Sequence, residues 1–158
     1  MNNSLRYLKI SINTQTLELF EQTADDLPIS LAHYPISTSR FGLGSEPGSF
    51  KTPLGLFSIK EKIGDGEPER MTFYHREPTG IIAALGGDID HVLTRILWLD
   101  GLEPHNSNTY DRYIYIHGTN QEDQIGTPAS HGCIRMRNAD MITLFDAVEV
   151  GDRVEIVV

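Results

Sequence analysis

Leu8-Lys9-Ile10-Ser11-Ile12-Asn13-Thr14-Gln15-Thr16-Leu17-Glu18-Leu19 alternates apolar and polar side chains on both sides of a short polar break. Leu8, Ile10 and Ile12 share one face of an extended chain, and Leu17 and Leu19 repeat the pattern after Asn13-Thr14-Gln15. A period of two is that of a half-buried strand, and two such runs joined by a polar turn predict a hairpin. The opening of the chain is therefore β.

Outward from this hairpin the strand pattern recurs. Residues 31–36 and 56–60 are short strand candidates, separated by a Gly-, Ser- and Pro-rich loop from Ser37 to Pro53. Residues 61–80 read as irregular, with Gly64, Gly66, Pro68 and Pro78 as breakers. Val92 to Leu99 is aliphatic and β-branched around Trp98 and favours a strand, with a helix as the alternative. Arg112-Tyr113-Ile114-Tyr115-Ile116 predicts a stronger strand ending at His117-Gly118. Asn138 is the expected N-cap of a helix, with Asp140 suited to its positive end. Met141, Leu144, Phe145 and Val148 then follow at i, i+3, i+4 and i+7, one apolar helical face. After Gly151-Asp152, Arg153 to Val158 is a final strand. No repeat or linker interrupts the chain, so the expectation is a single domain over 1–158, mainly β with one short helix.

A length of 158 residues suits one domain that buries roughly 70% of the unfolded chain's surface. Thirteen basic against 22 acidic residues leave a net charge of −9, the opposite of the basic stripe that nucleic acid requires. The longest apolar run, Ile81 to Leu85, has five residues, where a spanning helix needs about 20. Met1-Asn2-Asn3-Ser4-Leu5-Arg6 opens no apolar h-region, which makes an unexported, cytoplasmic chain the expectation, with a removed leader as the alternative. The oligomeric state leaves no mark in the sequence. One cysteine forms neither an internal disulfide nor a cysteine-rich zinc site. That thiol is either core filler or the centre of the chemistry.

Its neighbours favour chemistry. Cys133 lies in Ser130-His131-Gly132-Cys133-Ile134-Arg135-Met136, sixteen positions after His117. A thiol attacks as thiolate, and an ordinary pKa of about 8.5 leaves little of it ionised at neutral pH. An imidazole in reach takes the proton and later returns it to a leaving amine. His131 shares a face with Cys133 if the backbone is extended, and His117 sits at the end of a strand, so both are candidate bases. Gly132 admits a substrate carbonyl to backbone N–H groups that can form an oxyanion hole. Arg135 has the planar donor fork for a substrate carboxylate, or else belongs to a structural ion pair. A zinc site built on His117, His131 and Cys133 is the rival metal reading, without a spacing signature behind it. His33, His75, His91 and His105 are read as surface or hydrogen-bonded residues. No cofactor is expected. Gly42, Gly44 and Gly48 are wrongly spaced for a dinucleotide loop, and Asp88-Ile89-Asp90 lacks the rest of a calcium loop.

Ile116-His117-Gly118-Thr119 together with Ser130-His131-Gly132-Cys133-Ile134-Arg135-Met136 resembles the catalytic signature of the L,D-transpeptidase (YkuD) family. Tyr34-Pro35-Ile36-Ser37-Thr38 and Thr52-Pro53-Leu54-Gly55-Leu56-Phe57-Ser58-Ile59 are similar to that family's early strands and loop. The stretch from Gly64 to Asn108 carries no such signature and reads as a variable substrate-side region. The resemblance implies a β-sandwich-like mixed domain with a short helix. It implies cleavage of the bond between the third residue of a peptidoglycan stem, often meso-diaminopimelate, and a terminal D-Ala, through a thioester. On that reading Cys133 is the nucleophile, His117 the general base and the Gly118 carbonyl its orienting partner. Backbone N–H groups near Gly132 and Cys133 hold the oxyanion, Ser130 and His131 line the pocket, and Arg135 contacts a substrate carboxylate or supports the loop. Members of the family are commonly exported. The expectation for this chain is instead an L,D-carboxypeptidase that trims tetrapeptide muropeptides during recycling, with water as acceptor. Periplasmic transpeptidation is the alternative, and a catalytically idle peptidoglycan-binding module is the rival from another class.

Overall fold

The alternation around Asn13-Thr14-Gln15 becomes a hairpin. β1 (Leu5–Ser11) and β2 (Thr16–Gln22) pair antiparallel, with Leu8 opposite Leu19 and Ile10 opposite Leu17. Gln15 closes the turn at a φ of 52° and is held there by its own side chain, whose amide donates to Ile12 O at 2.9 Å and Thr38 Oγ1 at 2.7 Å. The protein is described by a computed structural model over residues 4–158. The start of the N-terminal reading and of the 1–158 domain assignment, Met1 to Asn3, lies outside the described residues.

The remaining elements are β3 (Ile29–Ser37), β4 (Gly55–Ile63), β5 (Met71–Tyr74), β6 (Glu77–Ile82), β7 (Val92–Gly101), β8 (Tyr115–Gly118), β9 (Ile134–Met136), α1 (Asn138–Ala147) and β10 (Arg153–Val157). Along the sheet the order is β4-β10-β1-β2-β3-β9-β8-β7, and β7 pairs back onto β4. The ladder thus closes on itself as an eight-stranded ring, the form taken by the expected sandwich-like β domain, and the closure leaves none of these strands with a free edge. The β5–β6 hairpin extends from β7 outside the ring. Two neighbours run parallel, β1 with β10 and β8 with β9.

Three expectations are corrected. Residues 61–80 are not irregular throughout: β4 runs to Ile63, and β5 and β6 form a hairpin. All six residues of β6 are exposed, so no alternation marks it as a strand. The strand expected from Arg112 begins only at Tyr115, because Tyr113 sits at a φ of 57° and its N–H closes a turn onto Tyr110 O at 3.1 Å. Asn138 is the first helical residue, not the cap. Arg137 occupies the cap position in extended backbone, and Asn138 gives its backbone N–H to the Glu122 carboxylate at 2.8 Å. A carboxylate from another segment therefore satisfies a helix N-terminal donor that the expected cap would have served.

The core follows the alternation. Leu8, Ile10, Leu17, Leu19, Ile36, Phe57, Leu97, Leu99, Ile116, Ile134 and Met136 fill the ring, joined by Met141, Leu144, Phe145 and Val148 from the helical segment. The predicted apolar helix face is the buried one. Val92 to Leu99 lies in the strand β7, buried on both faces for most of its length, which is why Ile96-Leu97-Trp98-Leu99 is apolar without alternation. Ile96 and Trp98 on its other face join Met71, Phe73 and Tyr115 in a second cluster, and Cys133 packs against that cluster.

Candidate active site

The parallel pair β8–β9 builds the site. Its register sets Ile116 beside Ile134 and His117 beside Arg135. Since side chains alternate, Ile116, Ile134 and Met136 enter the core, and Tyr115, His117, Cys133 and Arg135 take the opposite face. The period of two that makes the core thereby also presents thiol and imidazole from adjacent strands.

Cys133 is partly buried against the cluster of Met71, Phe73, Ile96, Trp98 and Tyr115. Tyr115 N–H donates to Sγ at 3.3 Å, and the thiol donates to Tyr113 O at 3.4 Å. Burial pushes the thiol from its ordinary 9.0 up to about 12, against the smaller opposing pull of the Tyr115 N–H. The resting group is a protonated thiol.

His117 is buried, and its Nδ1 lies 2.6 Å from Gly118 O. A carbonyl only accepts, so the proton sits on Nδ1 and Nε2 carries the free lone pair. Burial also lowers the imidazole's pKa below the ordinary 6.5, only partly offset by the Asp90 carboxylate and the Gly118 carbonyl. Both shifts favour the uncharged forms, a neutral thiol and a neutral imidazole.

Gly132 sits at a φ of 124°, and a Cβ there would come within 3.3 Å of Lys51 O. Its N–H donates to Ser130 Oγ at 3.2 Å, and its carbonyl accepts from Thr52 Oγ1 at 2.9 Å. Of the two N–H groups expected at an oxyanion hole, Gly132's is engaged. That of Cys133 makes no hydrogen bond among the described residues.

Other expected residues take different positions. Ser130 is fully buried, and its hydroxyl donates to Cys133 O at 2.7 Å, so it pins the turn before Cys133 rather than presenting its hydroxyl at the surface. His131 is exposed, with its ring against Phe41 and Phe50 at centroid distances of 5.6 and 5.8 Å. The positive φ of Gly132 breaks the extended backbone that would have put His131 on the face of the thiol. Arg135 is completely buried, which overturns its reading as an open clamp for substrate carboxylate. Its guanidinium donates to Gln121 Oε1 at 2.7 Å, Gln124 Oε1 at 2.8 Å and Ser37 Oγ at 3.0 Å, and pairs with Asp90 at 3.2 Å. The alternative reading, loop support, is the one this geometry fits. His117, His131 and Cys133 form no ligand cluster, and among the described residues no group of three His, Cys, Asp or Glu side chains does.

Sequence reasoning missed several members of the site. Tyr115 was legible, since a residue two before His117 on one strand shares its face. Asp90, Gln121 and Gln124 carry no local signal, because only the folded chain brings them to Arg135. Asn138 was read as a cap but instead bonds Thr119 O and Glu122 through its amide and accepts from Thr94 Oγ1 at 2.6 Å. It ties the helix start to the segment after His117.

Comparison with known proteins agrees with this architecture. A structure titled L,D-transpeptidase from Mycobacterium smegmatis superposes with a TM-score of 0.61 at 18% identity, over 98% of this chain and 59% of that one, a likeness of fold. Putative L,D-transpeptidase YqjB of Bacillus subtilis is 51% identical over 104 residues, 65% of this chain and 50% of that protein. Probable L,D-transpeptidase YbiS of Escherichia coli is 50% identical over 46 residues, 29% of this chain and 15% of that protein. The chain spans about half the length of YqjB and a smaller share of YbiS. Residues 5–156 match the family model described as the L,D-transpeptidase catalytic domain, YkuD. With the match running through nearly all of the sequence and the fold in agreement, the chain belongs to the YkuD family of L,D-transpeptidase catalytic domains.

Proposed function

We propose that the protein is a cysteine acyltransferase acting on the L,D bond of peptidoglycan tetrapeptide stems, cleaving between the third residue and the terminal D-Ala. The observation that carries this reading is His117, oriented by Gly118 O on the strand beside Cys133, inside a chain of the YkuD family. Nε2 of His117 takes the thiol proton as Sγ attacks the carbonyl carbon of the third residue. Charge develops on the carbonyl oxygen, where the Cys133 N–H is the available donor. Such a donor is typically worth ~100- to 1000-fold in rate. Collapse breaks the peptide C–N bond, and His117 returns its proton to the departing D-Ala amine, leaving a thioester on Cys133. Water resolves the thioester when no amine is present, which makes the protein an L,D-carboxypeptidase. The amine of a second stem or of a D-amino acid resolves it as a transpeptidase.

The raised pKa of this half-buried thiol supports proton transfer coupled to attack, with no stable thiolate before the substrate binds. A defined muramyl tetrapeptide, incubated with and without excess D-amino acid, reports on both branches. D-Ala release alone in both conditions assigns hydrolysis. An exchange product dominating with the D-amino acid present assigns transpeptidation instead. Cys133→Ala and His117→Ala should each abolish turnover in a folded protein, and turnover surviving in Cys133→Ala overturns the covalent mechanism.

A further inference from the structure

With Arg135 sealed inside, the signature segment offers no guanidinium to a substrate carboxylate. Another arginine is. Arg76 stands at the turn of the β5–β6 hairpin, where Tyr74 pairs with Glu77 and His75 and Arg76 take φ values of 48° and 65°. Two consecutive residues in the left-handed region are the signature of the turn that normally selects Asn-Gly. Keeping His-Arg there is a local cost, and such costs gather where side-chain placement matters.

The turn lays the Arg76 guanidinium over Trp98 and Tyr113, at 5.0 and 5.2 Å from their ring centroids. One Nη donates to Tyr115 OH at 3.3 Å, the sole protein hydrogen bond of its side chain among the described residues. The two ion pairs of the described residues are Arg6–Glu21 and Arg135–Asp90, so Arg76 is unpaired. It borders a cavity of about 290 Å³ floored by Phe73, Ile96, Tyr113 and Tyr115, in which no carboxylate appears. That floor is continuous with the nucleophile: the backbone of Tyr113 and Tyr115 holds the Cys133 sulfur from both sides. A larger cavity also borders Arg76 and reaches Trp98, and its carboxylates, Glu61, Asp65, Glu67 and Glu77, repel an anion. A carboxylate ligand therefore approaches Arg76 from the aromatic side, toward Cys133.

We propose that Arg76 is the carboxylate anchor of the acyl-donor site, holding a free carboxylate of the stem peptide over the Tyr113–Tyr115 surface while the scissile carbonyl reaches Cys133. This rests on the proposed action on stem peptides and adds the residue that selects an anionic donor. The guanidinium supplies two parallel donors, and its stacking on aromatic rings fixes their plane, which an ammonium group cannot reproduce. Two carboxylates of such a peptide have this chemistry, the C-terminal one of D-Ala and the side-chain one of a diaminopimelate third residue.

Trp98 is the chain's one tryptophan and lies under the guanidinium, so its fluorescence reports occupancy directly. Titrations use the full chain carrying Cys133→Ala, which binds without reacting. Three tetrapeptides are compared: unmodified, amidated at the C-terminal carboxylate, and amidated at the diaminopimelate side chain. Arg76→Gln should weaken the unmodified peptide about 10- to 100-fold, the range of a charge-assisted contact. Arg76→Lys should recover part of that loss. One amide should bind the parent as weakly as the unmodified peptide binds Arg76→Gln, and should lose nothing further in that variant. Whichever amide behaves so identifies the carboxylate. Equal affinity of the unmodified peptide for Arg76→Gln and parent, or amide and mutation effects that simply add, overturns the anchor, as does an absence of any Trp98 response. Acylation of Cys133 in the unsubstituted protein is read separately by intact mass. Its failure beside a carboxylate-dependent Trp98 response overturns the catalytic proposal alone, and its success beside an indifferent Arg76→Gln overturns the anchor alone.

Discussion

Arg135 Nη1 lies 3.2 Å from Asp90 Oδ2, and this pair joins the signature strand β9 to the segment that leads into β7. Arg135 has no exposed side-chain surface, whereas the Asp90 side chain keeps 23% of its own. Gln121, Gln124 and Ser37 complete the shell of the guanidinium, and its Nε is left without a partner. The charge that looked like a substrate clamp is thus the fastening of the loops around His117. His117 feels both members, Asp90 raising and Arg135 lowering its proton affinity.

Breaking the Arg135–Asp90 pair should destabilise the protein. Arg135→Met is expected to cost about 3 kcal/mol, the low end for a broken buried pair because water reaches Asp90. Asp90→Asn should also destabilise, and the double variant should cost less than the two singles together. Denaturant midpoints at constant slope check this, and additive effects would show that the pair is not coupled.

The pH dependence follows from the two shifted groups. His117 must be neutral to act as base, and burial depresses its pKa, so the acid limb of kcat/KM should fall below pH 6.5. Unfolding exposes an imidazole that binds protons more readily, so this group's contribution to stability is full above pH 6.5 and fades as pH falls through the folded value. For Cys133 the folded value is raised, so its contribution is full below pH 9.0 and fades toward about pH 12. A pH profile of acylation and a series of thermal melts read the two effects separately.

The resting thiol should be sluggish toward simple alkylation. With a pKa of about 12, reaction with iodoacetamide at pH 7.5 should run about 50-fold slower than that of a free cysteine, once the higher nucleophilicity of a basic thiolate is allowed for. His117→Ala should leave this rate nearly unchanged, because the resting pair is neutral. A large drop in that variant would reveal a thiolate–imidazolium pair instead.

The turn before Cys133 is sensitive to single atoms. Gly132→Ala puts a Cβ at a φ of 124° and 3.3 Å from Lys51 O, and should cost about 1–3 kcal/mol while displacing Cys133 N–H. Ser130→Ala removes the bonds to Cys133 O and from Gly132 N–H. It should lower kcat by about tenfold or more with little change in KM, because it disturbs the site and touches no substrate. Steady-state kinetics on a tetrapeptide, with melts to confirm folding, test both.

Much of the fold was legible because periodicity is local. Leu8, Ile10, Leu17 and Leu19 declare a hairpin, and Met141, Leu144 and Phe145 a helix, through spacing that holds whatever the rest of the chain does. β6 was illegible for the same reason: with both faces exposed, Glu77 to Ile82 has no pattern to read. Asn138 was misread because the propensity of an amide to cap is only a prior, and the Glu122 carboxylate displaced it from that role.

The sequence by itself determined the class of the fold, the one possible thiol nucleophile and its two candidate bases. Tertiary structure separated the two imidazoles, sending His131 to Phe41 and Phe50 and setting His117 on the strand beside Cys133. It also withdrew Arg135 into the interior and brought Arg76 to the surface around Tyr115. The difference is physical. Alternation and residue chemistry are properties of a short stretch of chain, whereas a charge's partner and a thiol's surroundings depend on the register of β8 on β9 and on loops distant in sequence.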